Sequence, residues 1–316
     1  MFKIHSPLLW ALLLIPLLNF AQYTDQINSN RPGETMSAFA VGKSVIQLET
    51  GAYGITQKHH LLNYVTNGYG IDATLRYGMF MEKLELIADI QYQSQVYEAL
   101  YTKTDQKALK QTILGAKYLL YDPFKNHEKK INVYSWNANR KFSWRQLIPA
   151  VSVFAGANFT AANNPYHFSP NASISPKAIL ITQNHLGDGT WVFVTNTIAD
   201  YIGTEYPSYG YALTLTKGFN DKWSGFVENQ GYKSDFYSDA IVRAGAAYLL
   251  TDDLQIDASA SASLKNTPSI FYGGLGFSWR YDANYNEVRM PVEDPNVLKA
   301  QKRAKKGTKK KKFLIF

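Results

Sequence analysis

Polar and apolar residues alternate along most of this chain. In residues 70–78, Ile71, Ala73, Leu75 and Tyr77 fall on one face, and Asp72, Thr74 and Arg76 on the other. In residues 84–93, Leu84, Leu86, Ala88, Ile90 and Tyr92 oppose Glu85, Asp89, Gln91 and Gln93. Residues 254–264 set Leu254, Ile256, Ala258, Ala260, Ala262 and Leu264 against Gln255, Asp257, Ser259, Ser261 and Ser263. A period of two predicts β-strands, because an amphipathic helix would group apolar residues three and four apart. The same reading predicts strands at 44–53, 109–121, 147–160, 176–186, 190–201, 208–217, 223–231, 237–250 and 269–281. Together these are twelve strands, an even number that returns the chain to the side where it started.

The connections fit an up-and-down order. Tight links are predicted at Met79 to Lys83, Leu186 to Gly189, Gly218 to Lys222 and Thr251 to Asp253, and longer polar loops at 54–69, 94–108 and 161–175. Short turns on one side and long loops on the other describe the periplasmic and extracellular ends of an outer-membrane barrel. One link on the short side is long: residues 122–146 carry Lys125, Lys129, Lys130, Arg140, Lys141 and Arg145 with Trp136 and Trp144. This basic excursion is either solvated or meets a partner. In the last strand Phe271, Gly273, Leu275, Phe277 and Trp279 point outward, with Tyr272, Gly274, Gly276, Ser278 and Arg280 inward. Gly274, Phe277 and Trp279 resemble the signal by which the outer-membrane assembly machinery recognises a terminal strand.

Composition sharpens this picture. Tyrosine alone counts 22, and its ring and hydroxyl suit the boundary between lipid and water. Lys3 and His5, the apolar run Pro7 to Leu18 and the small residue Ala21 form a secretion signal expected to be cut after Ala21. Its apolar core is shorter than the roughly 20 residues that span a bilayer as a helix. After Gln22 no stretch approaches such a length, so any crossing of the membrane falls to strands. Residues 282–316 hold ten Lys and Arg against four Asp and Glu, which is +6 of the formal +8. The barrel itself is therefore nearly neutral, and the Lys-rich tail lacks the interleaved aromatics of a specific nucleic-acid site. The expected organisation is a signal at 1–21, a periplasmic or lumenal lead-in at 22–43, a transmembrane antiparallel barrel at 44–281 and a basic, disordered periplasmic tail at 282–316.

Catalytic constellations do not assemble. The chain has no cysteine. Gly42-Lys43-Ser44 lacks the first glycine of a phosphate loop, since position 37 is Ser37, and it opens a strand instead of a helix. His59, His60, His127, His167 and His185 show no metal-ligand spacing, and Ser259, Ser261 and Ser263 face inward with no histidine on neighbouring strands. No enzyme, cofactor or metal is expected. The informative surface is the lumen, where the alternation places Glu49, Asp72, Arg76, Glu85, Asp89, Lys117, Glu228, Arg243, Asp257 and Arg280. Charges of both signs on inward faces either line a water-filled path or pair into a network that fills a closed barrel.

Asn30-Arg31-Pro32-Gly33-Glu34-Thr35, followed by Ser37, Gly42 and Glu49, then Leu75-Arg76-Tyr77-Gly78, Leu84-Glu85-Leu86, Gly115 and Lys117, resembles the bacterial outer-membrane family known as the putative MetA-pathway of phenol degradation transporters. Asn30 stands where that family usually has an acid. The resemblance covers most of residues 28–281 and implies a barrel and a transport role for hydrophobic or aromatic compounds. Arg31-Pro32-Gly33 either folds into the lumen, where Arg31 meets Glu49 or Glu85, or shapes a flexible lead-in. The leading expectation is a passive outer-membrane channel for small solutes with residues 22–43 as a partial plug. Its partners would be outer-membrane lipid, the assembly machinery, a small-molecule solute and, through the tail, a periplasmic protein or the cell wall. The alternative is a non-transporting scaffold barrel of an envelope assembly.

Overall fold

The computed structural model describes residues 27–125, 134–135, 144–161, 163–167, 173–187, 189–235 and 237–282. The expected secretion signal, most of the basic excursion and all of the basic tail beyond Asp282 lie outside the described residues. The strands are β1 (Val45–His59), β2 (Tyr64–Gly78), β3 (Leu84–Ala99), β4 (Thr102–Tyr121), β5 (Ala150–Phe159) and β6 (Ile174–Leu186). They continue as β7 (Trp191–Asp200), β8 (Ser208–Gly218), β9 (Trp223–Lys233), β10 (Ser238–Thr251), β11 (Leu254–Ser263) and β12 (Ser269–Asp282). Each pairs antiparallel with its sequence neighbours, and β1 closes on β12 from Val45↔Asp282 to Lys58↔Ser269. The fold is a closed twelve-stranded up-and-down barrel, so no backbone edge is left unpaired in lipid. Among the described residues no helix is long and apolar enough to cross a membrane.

The outer wall shows why these residues form these strands. Ile71, Leu75, Ile90, Leu114, Leu180, Leu215, Val227, Ile256 and Leu275 are exposed around its middle. Aromatics ring it near the end where β1 begins, hereafter the lower end: Tyr77, Tyr121, Trp191, Trp223, Trp279 and Tyr281. A second ring nearer the upper end holds Tyr69, Phe159, Tyr209 and Phe271. Tyr69 and Tyr77 lie eight residues apart on one face of β2, about 27 Å along the strand and roughly 20 Å along the membrane normal at the tilt of such barrels. That matches a lipid band. Leu275→Arg, near its middle, is expected to cost about 2–4 kcal/mol of folding into lipid vesicles, read by denaturant titration.

The predicted loops at 54–69 and 94–108 need correction. Residues 54–69 and 94–108 are mostly strand, with β1 running to His59, β2 starting at Tyr64 and β3 and β4 meeting at a tight turn. Most of their outward positions, among them Gly54, Thr56, Lys58, Asn67 and Glu98, are small or polar, because here the sheet stands above the lipid band. The hydrogen-bonded ladder continues where the hydrophobic period fades. Nor is the inner face polar throughout: Ile87, Ile113, Phe154, Ile179, Ile181, Val194 and Ile198 form a buried cluster around Ala38. These strands are apolar on both faces because one meets lipid and the other meets the lead-in.

Candidate functional site

The segment from Ile27 to Ser44 enters the barrel from the lower end, turns at Arg31–Glu34 and returns to β1. Its entry is fixed by the Ile27 N–H, which donates to the Asp252 carbonyl at 2.8 Å. Its exit is a sharp reversal with Gly42 at φ 97° and Ser44 at φ 64°, and the Ser44 N–H donates to the Gly78 carbonyl at 2.8 Å. Gly42 sits where an L side chain would be strained. The motif Gly42-Lys43-Ser44 is thus a hinge into β1.

Five of the ten inward charges on the wall address the main chain of this segment. Glu228 on β9 accepts the N–H groups of Glu34 at 3.0 Å and Thr35 at 3.2 Å, with the Thr35 hydroxyl at 2.7 Å. Glu49 accepts the Asn30 N–H at 3.2 Å, and Glu85 the Val41 N–H at 3.0 Å. In the opposite sense, Lys117 donates to the carbonyls of Ser37 at 2.8 Å and Phe39 at 3.0 Å, and Arg76 donates to that of Asn28 at 2.7 Å. The neutral side chains Gln183, Ser152 and Gln255 complete the set on Ala38 and Arg31. A loop inside a barrel cannot reach water with all its amides, so the wall must satisfy them.

The charges also pair among themselves. Arg76 donates to Glu85 at 2.7 Å and to Glu49 at 2.9 Å, and Lys117 lies 3.3 Å from Glu85. Arg243 donates to the Tyr272 hydroxyl at 2.7 Å, Ser261 at 2.8 Å, Glu34 at 3.0 Å and Glu228 at 3.4 Å. Enclosure in the barrel works against the ionised form of Glu34, but Arg243, joined by Lys110 and Arg31, outweighs it and holds that carboxyl below the usual carboxylate range. Arg31 meets Asp72 on β2 and Asp257 on β11, the latter through Nε and Nη2, both at 3.2 Å. The lumenal one of the two readings of the lead-in pairs Arg31 with Glu49 or Glu85. The turn carries it one inward row further up, and Arg76 takes those two acids instead.

All ten wall residues singled out from the alternation face the lumen. Eight of them converge on the lead-in network. Asp89 does not: it accepts from the Thr74 hydroxyl at 2.9 Å and has no ion pair among the described residues. Arg280 is buried near the lower end of β12. Alternation alone did not single out Gln183, Gln255, Ser152 or Thr214. Their inward parity was available, but uncharged polar side chains give no reason to expect a partner.

Beside the lead-in lies a cavity of 690 Å³. Ile27 to Pro32 and Phe39 form one side, and Gln183, His185, Val194, Thr214, Phe226 and Ala247 the other. Phe39, Phe124 and His185 make an aromatic corner, with His185 centred 5.9 Å from Phe39 and 5.1 Å from Phe124. A chamber with apolar walls and a few polar groups suits a small, partly apolar guest. Because Glu228 binds three groups of the lead-in, Glu228→Gln is expected to weaken docking of residues 27–43 by about 1–3 kcal/mol, seen as faster proteolysis at those residues.

Among solved structures, an outer membrane channel from Pseudomonas putida F1 is similar over 80% of this chain and 100% of its own, at 11% identity and a TM-score of 0.48. The translocator domain of the autotransporter NalP from Neisseria meningitidis matches 76% of this chain and 89% of its own, at 8% identity and a TM-score of 0.47. The monoaromatic hydrocarbon channel CymD matches 77% and 90%, at 12% identity and a TM-score of 0.40. No curated protein matches the sequence significantly. The sequence profile of one family spans residues 29–281, and the chain belongs to that family, described as "Putative MetA-pathway of phenol degradation".

Proposed function

We propose that this protein is a gated channel of the Gram-negative outer membrane, closed in the state described by its own residues 27–43. The observation that carries the reading is the burial of the lumen charges. Arg76, Glu85, Lys117 and Glu228 are 0% exposed, each holding main-chain groups of the lead-in, so this layer of the lumen is a plug contact and not a wetted path. Barrel membership in the family supports passage of small, hydrophobic or aromatic solutes, and the 690 Å³ chamber beside the lead-in is their resting place. Residues 1–21 serve export, Gly274, Phe277 and Trp279 serve recognition by the assembly machinery, and the tail from 282 stays periplasmic.

Thr35 on the lead-in and Thr214 on β8 share a hydroxyl contact, and the chain has no cysteine of its own. The double variant Thr35→Cys, Thr214→Cys therefore offers a clean lock. In planar bilayers the oxidised form is expected to show no openings, and reduction should restore solute leak to the level of the unlocked protein. Equal leak from locked and reduced forms would show that the lead-in does not gate the barrel.

A further inference from the structure

Four neighbouring strands place one inward row in hydrogen-bonded register. Asp72 on β2 faces Gly51 on β1, Gly51 faces Gly276 on β12, and Gly276 faces Asp257 on β11. The Arg31 guanidinium lies flat on the two glycines between the two acids. A Cβ at residue 51 would stand 2.6 Å from Arg31 Cζ, and one at residue 276 would stand 2.5 Å from it, so a side chain at either position would fill the slot. Asp257 takes Nε and Nη2, and Asp72 takes Nη1. Three of the five N–H groups of a planar cation are thus engaged, and a compact ammonium could not span both acids. The slot is not sealed: the Arg31 and Asp72 side chains are 15% and 26% exposed, while Asp257 is 0% exposed.

We infer that the Asp72–Gly51–Gly276–Asp257 row is a receptor for a guanidinium or amidinium group, occupied in this state by Arg31, and that a solute bearing such a group competes with Arg31 and frees the lead-in. The second half rests on the gated-channel reading above; the receptor itself does not. The slot recognises shape and charge together. Flat glycine backbone admits a planar group, and acids at both ends neutralise it. A hydrophobic guest in the chamber would touch Arg31 itself but none of the four residues of this row.

The test is calorimetric titration of the folded full-length chain in detergent. Arg31→Ala vacates the slot and should bind methylguanidinium about tenfold more tightly than methylammonium, and about tenfold more tightly than the filled wild type does. Adding Gly276→Ala, which puts a methyl group where the guanidinium lies, or Asp257→Asn should each abolish that preference. Arg31→Gln provides the same vacancy should the alanine variant fold poorly. Equal binding of the two cations, or binding unaffected by Gly276→Ala, overturns the receptor. Wild-type barrels in bilayers should also open more often in methylguanidinium than in methylammonium at equal ionic strength. A vacant slot that binds methylguanidinium beside a wild type that never opens would refute the gating and leave the receptor standing.

Discussion

Deleting residues 22–43 is expected to turn a rarely opening barrel into a steadily conducting one. The lead-in occupies the lumen between β1, β9 and β6, and its removal leaves the carboxylates Glu49, Glu85 and Glu228 without the amides they now accept. Buried, unsatisfied carboxylates are unstable in a dry interior, so water must enter. A twelve-stranded barrel lies between the small filled kind and the wide porins, and without its internal loop it has room for a hydrated passage. In planar bilayers, solute leak should rise by about tenfold or more over the full-length protein, a change far outside scatter between preparations. The new pore should favour cations, because Glu49, Asp72, Glu85, Glu228 and Asp257 then face water against only Arg76, Lys117 and Arg243. A truncated barrel that folds yet stays sealed would sink the gating mechanism, since nothing else described fills that layer.

Arg76→Ala is expected to be the most damaging single substitution. The Arg76 guanidinium is 0% exposed and joins Glu85, Glu49 and the Asn28 carbonyl in one cluster. Removing it strands two acids in a space that Lys117 alone cannot neutralise. Breaking a buried ion pair from one side costs on the order of 3–5 kcal/mol, mostly the penalty of the charge left behind. Denaturant titration of folding into lipid vesicles should show a loss of that size, and a loss below about 1 kcal/mol would mean that water already solvates the cluster. The quadruple variant Arg76→Met, Glu85→Gln, Glu49→Gln, Lys117→Met, which also removes the ammonium paired with Glu85, should recover much of it. Its inward groups are then neutral and of similar size, so no uncompensated charge is left. The lead-in should nevertheless dock less firmly in that variant, because the Asn28 carbonyl and the Val41 N–H lose their charged partners.

Much of the wall was legible from residue order. Strand number, the facing of each inward charge and the closing strand follow from a period of two, which lipid outside and polar groups inside enforce together. Where one of those constraints lapses, the pattern misleads. The upper halves of β1 to β4 stand clear of lipid and lose their apolar face, so 54–69 and 94–108 read as loops. In β5 to β7 the inner face packs Phe154, Ile179 and Ile181 on Ala38, so both faces are apolar there and the period of two fades.

The sequence by itself determined the barrel, its twelve strands and the set of charges that point inward, because side-chain direction in a strand is a local property of two residues. Only the tertiary structure decided what those charges do. Glu228 lies some two hundred positions from Thr35, and Asp72 and Asp257 reach Arg31 only because β1 closes on β12 and brings β2 and β11 to either side of two glycines. Pairing of that kind depends on closure of the sheet and on the path of an irregular segment with no period of its own. For that reason the lumen could be listed from residue order, but whether it stood open or filled could not.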